Sequence, residues 1–445
     1  VPAVGYDMDY TLVHYRVDEW EGAAFRTARD LLAARDWPVG ELEFDPDQFT
    51  LGLVFDVELG NLVKATRFGY VVRAQHGTEM VPFDQQRDLY QDTVIELSDQ
   101  RFRFMNTLFE LSRAALFTQL VAIHDESPLP GINGYADLYR AVDEALSETH
   151  LTGTLKSRIV ADPDLFVDLD PGIVPTLLDQ RATGKQLLLI TNSDWEYTRR
   201  ILAYALDPYC PDGLTWRDLF DIVIVSANKP NFFSRTDPIY RVVDEDESLL
   251  KPHYGALEAG HVYFGGNARL VEGSLGIVDR PPLYVGDHLF GDVHVTKDVL
   301  RWRTALIARE LESEIGDAET FAPKQQRLEV LMEEKVAAEQ RQAALRLDRL
   351  RTDGETSAAV AAELSSTTAR VFDLDNRIAP LARAASELGN PIWGPLMRAG
   401  NDKSLFARQV ERYADVYTSR VSNFRYQTPY AYLRAARGSL PHDHR

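Results

Sequence analysis

The sequence predicts an α/β protein with a parallel-sheet core, a large inserted α+β domain and a C-terminal helical hairpin extension. Three observations carry that reading. Short continuous apolar runs alternate with helical stretches, as parallel strands do when helices cover both faces of their sheet. The first run, Ala3-Val4-Gly5-Tyr6, is separated from the next, Gln186-Leu187-Leu188-Leu189-Ile190, by a stretch too long to be a loop. Far downstream, Val360, Leu364, Thr367, Val371, Leu374 and Ile378 step by four and three, the seam spacing of a coiled coil.

Each element follows in order. Residues 3–6 read as a buried strand that ends at Asp7-Met8-Asp9-Tyr10-Thr11-Leu12. The inserted stretch then offers a helix over 23–37 and strands over 50–55 and 61–71 around a turn at Gly60. A helix over 105–123 carries Leu108, Leu111, Ala115 and Leu120 near helical spacing, and another covers 135–146, followed by Gly153-Thr154-Leu155-Lys156. Alternation resumes with a helix over 172–180 and the strand 186–190. That strand ends at Thr191-Asn192-Ser193-Asp194, small polar residues that suit the cap of a helix over 195–206. Strands over 221–225 and 281–285 end at Ser226-Ala227-Asn228-Lys229-Pro230 and at Gly286-Asp287-His288-Leu289-Phe290-Gly291-Asp292, and 303–308 supplies a fifth.

Residues 323–384 are rich in Ala, Glu, Gln, Leu and Arg, with a break at Thr352-Asp353-Gly354-Glu355, so they read as an antiparallel hairpin. Its seam serves either a solvated amphipathic hairpin or an oligomer contact. The expected organisation is a core from 1–16 and 165–310, an inserted domain over 17–164, the hairpin over 320–385, and a C-terminal segment, 386–445, packing on the core.

Composition narrows the function. The chain has 445 residues, 45% hydrophobic and 26% charged, enough for a large core. A net charge of -20 argues against a nucleic-acid-binding surface, so a phosphate-bearing substrate must be met by locally placed cations. One cysteine, Cys210, excludes an intrachain disulfide and fits a reducing compartment. No apolar run reaches transmembrane length, so no membrane partner is expected. The chain opens on Val1 and reads as trimmed, so a targeting segment could precede it; the cytoplasm is the default expectation.

The chemistry collects at strand ends. Asp7 and Asp9, spaced i, i+2, point to one side where the first strand stops. One can attack an electrophile while the other handles the proton. Thr191 and Asn192, then Lys229, then Asp287 and Asp292 end later strands, at the edge of an open α/β sheet where ligands bind. Each has a simpler reading alone: Thr191 or Ser193 as a helix cap, Lys229 as a surface lysine, Asp287 and Asp292 as a turn. Together, acids, a hydroxyl and one lysine are the set that moves a phosphoryl group.

These four motifs resemble those of the haloacid dehalogenase superfamily of phosphohydrolases, and more closely the cytosolic purine 5'-nucleotidase family. The resemblance rests on 7–12, Thr191-Asn192-Ser193-Asp194, Lys229-Pro230 with Phe232-Phe233, and 286–292. Ser404-Leu405-Phe406-Ala407 through Arg412-Tyr413-Ala414-Asp415, then Pro441-His442, is similar to that family's C-terminal segment. It implies a Rossmannoid core with an inserted cap, acting as a Mg²⁺-dependent 5'-nucleotidase on purine nucleoside monophosphates of the IMP/GMP type. In that scheme Asp7 is the nucleophile that forms an aspartyl-phosphate, and Asp9 is the general acid/base. Mg²⁺ is held by the Asp7 and Asp287 carboxylates and the Asp9 carbonyl. Thr191 and the amides of Asn192 and Ser193 hold the phosphoryl oxygens, Lys229 neutralises charge, and Asp292 orients it.

In the cap, Phe109 resembles the aromatic that stacks on the base, the stretch around Asp143 resembles the base-recognition helix, and the places of His150 and Lys156 resemble further substrate contacts. Read without the resemblance, Asp143 is a helix-surface acid, Phe109 a core aromatic and His150 a loop residue. Two departures stand out: Tyr139 occupies the place four before Asp143 where the family has an arginine, and extra residues separate Asp143 from His150. Members of the family also transfer phosphoryl groups to nucleosides and form dimers and tetramers, so a homo-oligomer is expected. Two alternatives remain at this stage: a phosphatase of the same superfamily for another phosphomonoester, and a nucleotidase-like interaction scaffold.

Overall fold

The computed structural model describes residues 1–151, 153–277, 280–351 and 357–433, leaving aside the side chains of residues 150 and 151. It divides into two compact units, Val1–Leu311 with Met397–Arg445, and Glu312–Leu396.

The larger unit is built on a nine-stranded sheet. In chain order its strands are β1 (Ala3–Tyr6), β2 (Gln186–Ile190), β3 (Ile222–Val225), β4 (Ile239–Asp244), β5 (Leu249–Pro252), β6 (His261–Gly265), β7 (Leu283–Gly286), β8 (Arg303–Ile307) and β9 (Val416–Thr418). In space they run β5-β4-β6-β3-β2-β1-β7-β8-β9. From β6 to β9 every neighbouring pair is parallel, and β4 and β5 add an antiparallel flank. The apolar runs of β1 and β3 are buried along their whole length, as a sheet covered on both faces requires.

Chain order reverses around β1: the path leaves it toward β2 and β3 and later returns to β7 on its other side. That reversal is a topological switch point, where the crevice beyond the strands' carboxyl ends receives ligands. Close strand approach there depends on glycine. A Cβ on Gly5 would stand 2.9 Å from the Tyr284 ring, and one on Gly286 would stand 2.5 Å from an Asp292 carboxylate oxygen.

Between β1 and β2 lies a second, five-stranded antiparallel sheet that includes Val54–Asp56, Asn61–Ala65 and Val71–His76. The helices that accompany it include α1 (Val17–Ala33), α2 (Leu111–Glu126), α3 (Tyr135–Leu151) and α4 (Thr154–Ala161). Helices α5 (Ile173–Ala182) and α6 (Trp195–Leu206) belong to the main sheet's alternation. As expected, Asp194 caps α6, its carboxylate accepting from the Tyr197 amide at 2.9 Å.

Several boundaries differ from expectation. Helix α1 starts at Val17 rather than 23, because its polar first turn carries Asp18 and Glu19, which favour a helix N-terminus without adding apolar period. The predicted strand over 61–71 is two strands, Asn61–Ala65 and Val71–His76, turning at Gly69, whose φ of 87° suits only glycine. The antiparallel strands β4 and β5 escaped sequence reading: β5, Leu249–Pro252, is exposed throughout and carries a lysine and a proline, features of a protected edge rather than a core strand.

The smaller unit holds α7 (Leu311–Arg351), all but its first residue, and α8 (Ala358–Ser386). Leu331, Ala338, Leu374 and Ile378 form their shared apolar core. Lys335 pairs with Asp375 at 2.5 Å and Arg341 with Glu363 at 2.6 Å, so one helix descends as the other rises. The seam residues Leu374 and Ile378 therefore do face a partner helix. The expected break at Thr352-Asp353-Gly354-Glu355 and the tail's Pro441-His442 lie outside the described residues. No helix among the described residues is long and apolar enough to cross a membrane.

Candidate active site

Strand ends bring the predicted acids together. Asp7 continues β1, its amide donating to Val285 O of β7 at 2.9 Å, while its Oδ1 accepts from the Met8 amide at 2.7 Å. Lys229, at the end of β3, inserts its ammonium between Asp7 (2.7 Å) and Asp292 (2.9 Å). Its Nζ also lies 3.1 Å from the Tyr284 hydroxyl, which donates to Ile190 O. Asp7, Asp287 and Asp292 each turn a carboxylate oxygen into a cluster within 4.8 Å.

All four charges are buried, so their balance matters. Burial pushes the Asp7 carboxyl up to about 6, although Lys229 beside it pulls the other way. Burial, then repulsion from Asp292 and Asp7, holds Asp287 well above the usual carboxylate range. Burial lowers the Lys229 ammonium, but Asp292 and Asp7 more than reverse this and raise it. When all three carboxyls are ionised beside one ammonium, two negative charges stay uncompensated, the deficit a divalent cation would fill. An all-oxygen set matches a hard ion such as Mg²⁺.

Asp9 is held separately. Its Oδ1 accepts from the Tyr15 hydroxyl at 2.5 Å and its Oδ2 from Ser193 Oγ at 2.7 Å. Lys156, on α4, donates to the same Ser193 oxygen at 3.1 Å and approaches Asp194 at 3.5 Å. Burial raises the Asp9 carboxyl, Lys156 lowers it and Asp7 raises it again.

Thr191 and Asn192 act on the backbone here. Thr191 Oγ1 accepts from the Ser193 amide at 3.0 Å. The Asn192 side chain brackets Lys229, accepting from its amide at 2.6 Å and donating to its carbonyl at 3.1 Å. Asn192 thereby fixes the loop that aims the lysine.

Sequence reasoning overlooked several participants. Thr107 donates to Asp287 Oδ2 at 2.9 Å, so the region between β1 and β2 reaches the acid cluster directly. His288 Nδ1 accepts from the Gly291 amide at 2.8 Å, and burial lowers its imidazolium; the neutral ring thus carries its proton on Nε2. Tyr15 and Tyr284 complete the shell. Of these, only His288 lies inside a motif; Thr107 and Tyr284 reach the site through partners distant in sequence, and Tyr15 stands just beyond the first motif.

The expected base-recognition residues are dispersed. Phe109 packs edge-on against Tyr10, with ring centroids 4.7 Å apart, and against Trp20 at 5.6 Å. Asp143 does not stand alone: Arg113, on α2, bonds it at 2.7 Å and bonds Glu110 at 2.7 Å. Tyr139 packs edge-to-face on Phe55 and Phe117, with the Arg113 guanidinium 5.9 Å from its ring. Arg113 thus brings a guanidinium from the neighbouring helix to Asp143, which has Tyr139 rather than an arginine four residues before it. The His150 side chain lies outside the described residues.

Beside this network, Glu21 is fully buried, with one oxygen accepting from the Ser112 amide at 2.9 Å and the other unpartnered. Burial pushes its carboxyl from 4.5 up to about 7. An acid raised in the folded state stabilises the fold below its unfolded value, and that contribution is lost as pH rises through the folded one. A shift of that size is worth about 3 kcal/mol. Wild-type stability is therefore expected to fall by about that much, relative to Glu21→Gln, between pH 4 and 8. Urea unfolding of both proteins across that range measures it, and parallel pH profiles would contradict it.

The family model described as the 5' nucleotidase family matches residues 1–445. A 5'-nucleotidase domain-containing protein of Dictyostelium discoideum is 26% identical over 467 aligned residues, covering 100% of this chain and 73% of its own. The 5'-nucleotidase domain-containing protein 2 of Rattus norvegicus is 30% identical over 448 aligned residues, covering 95% of this chain and 74% of its own. With its haloacid-dehalogenase-like parallel sheet and acids gathered at strand ends, the chain belongs to the 5'-nucleotidase family, hydrolases of nucleotide phosphomonoesters.

Proposed function

We propose that the protein is a Mg²⁺-dependent 5'-nucleotidase that hydrolyses purine nucleoside 5'-monophosphates through an aspartyl-phosphate on Asp7. The observation that carries this reading is the Lys229 ammonium set between Asp7 and Asp292, with Asp287 in the same cluster. That arrangement combines a buried nucleophile with a fixed positive charge where phosphoryl charge would build.

In the first step an Asp7 oxygen attacks phosphorus, the bond to the ribose 5' oxygen breaks, and Asp9 gives that oxygen a proton. In the second, Asp9 takes a proton from water, the water oxygen attacks phosphorus, and the Asp7–phosphorus bond breaks to release phosphate. Lys229, oriented by Asp292 and Tyr284, offsets the charge on the phosphoryl oxygens in both steps. Asp7 and Asp287, with the Asp9 carbonyl, would hold Mg²⁺, which when bound screens the carboxylates from one another and from the incoming phosphate.

The region between β1 and β2 would act as the cap that selects the leaving group, with Phe109 offering a face to the base and Lys156 meeting the phosphate end. Arg113 changes the expected pattern: it bonds both Asp143 and Glu110, so the Asp143 carboxylate would meet a base while already paired with a guanidinium.

A panel assay tests the proposal: phosphate release from IMP, GMP, AMP, pyrimidine monophosphates and sugar phosphates, with Mg²⁺ and with a chelator. Release from IMP and GMP that stops with chelator is expected. Preference for a sugar phosphate would favour a phosphatase with another ester as substrate, and no release from any would favour a scaffold.

A further inference from the structure

We propose that Tyr15 is the positioning residue for Asp9, and that it works with Tyr197 on one carboxylate oxygen while Ser193 and Lys156 fix the other. The proposal rests on the reading of Asp9 as the general acid/base.

Two donor chains end on Asp9. In one, the Tyr197 and Tyr15 hydroxyls are 2.8 Å apart and Tyr15 donates to Oδ1 at 2.5 Å. In the other, Lys156 donates to Ser193 Oγ, which donates to Oδ2. An ammonium can only donate, so Lys156 sets the direction of the second chain and the Ser193 hydrogen must face Asp9. A carboxylate offers about four acceptor sites, and the two hydroxyls take one on each oxygen. The carboxyl plane is thus fixed while acceptor capacity remains for the proton that moves to and from the substrate.

Tyr15 is itself immobilised, as a positioning group must be. It sits on the short strand His14–Tyr15, paired antiparallel with Val167–Asp168. Its ring is buried against Trp20 at 4.3 Å and Tyr10 at 5.3 Å between centroids. The four partners come from separate elements, with Lys156 on α4 of the inserted stretch. The inserted stretch thus reaches Asp9 through Lys156 and Ser193.

A general acid matters in proportion to how poorly the leaving group departs unaided. This gives a test that a merely structural role would not meet. Tyr15→Phe keeps the ring and removes only the hydroxyl. Its kcat/KM for IMP is expected to drop about tenfold to a hundredfold, short of the roughly 10²–10⁴-fold for losing a general acid. Its kcat/KM for p-nitrophenyl phosphate, whose phenoxide leaves without a proton, should stay within about twofold of wild type.

Equal losses on both substrates, or no loss on IMP, would overturn the proposal. Tyr197→Phe, which leaves Tyr15 in place, should give a smaller loss of the same selectivity and covers the case of a poorly folding Tyr15→Phe. Asp9→Asn separates the two layers of the argument. If it spares IMP hydrolysis, the acid/base reading of Asp9 fails. If it discriminates between the substrates while Tyr15→Phe does not, only the role of Tyr15 fails.

Discussion

Replacing Asp7 by Asn is expected to reduce phosphate release by at least about 10⁴-fold, the scale on which removal of a covalent nucleophile is felt. The amide nitrogen cannot attack phosphorus, and the amide oxygen carries no negative charge. Global stability is expected to be kept, because the substitution is isosteric and the Met8 amide can still donate to the remaining carbonyl oxygen. It also removes one of three mutually repelling buried acids, which compensates for the lost partner of Lys229. Phosphate release and thermal unfolding, measured on the same preparation, separate lost chemistry from lost fold. Retained turnover on nucleoside monophosphates would remove Asp7 from the mechanism.

What the sequence made legible follows from locality. The apolar runs of β2 and β3 are continuous because both faces of their sheet are covered, and each ends in the polar residues that define the site. A motif of this kind is local and can be read from one segment. Thr107 and Arg113 could not be found that way. Thr107 reaches Asp287 across 180 positions and Arg113 reaches Asp143 across 30, and neither contact leaves a pattern in its own segment. Asp143 was visible as an acid on a helix and 105–123 as a helix, but their pairing through Arg113 was not. Strand β5 was hidden for the opposite reason, since an exposed edge strand has no buried apolar run to betray it.

Lys229 yields the second large effect, because its ammonium is asked to do two things. Replacing it with methionine would leave Asp7, Asp287 and Asp292 buried with no cation between them. Removing one partner of a buried ion pair costs about 3–5 kcal/mol, so a clear loss of stability is expected in the presence of a chelator. Catalysis should fall further, by about 10²–10³-fold, the scale of losing one preorganised charge at a reacting oxygen. The two losses should respond differently to Mg²⁺. A dication among the three acids offsets the missing charge, so Mg²⁺ should raise the melting temperature of Lys229→Met by more than that of wild type, without restoring turnover. Lys229→Arg separates charge from shape: its planar fork keeps the cation but cannot take the place of a compact ammonium wedged at 2.7 and 2.9 Å between two carboxylates. It should recover more of the stability than of the rate. Equal Mg²⁺ stabilisation of wild type and Lys229→Met would mean that the acids and the lysine do not share a charge balance, and the cluster would then need another explanation for its burial.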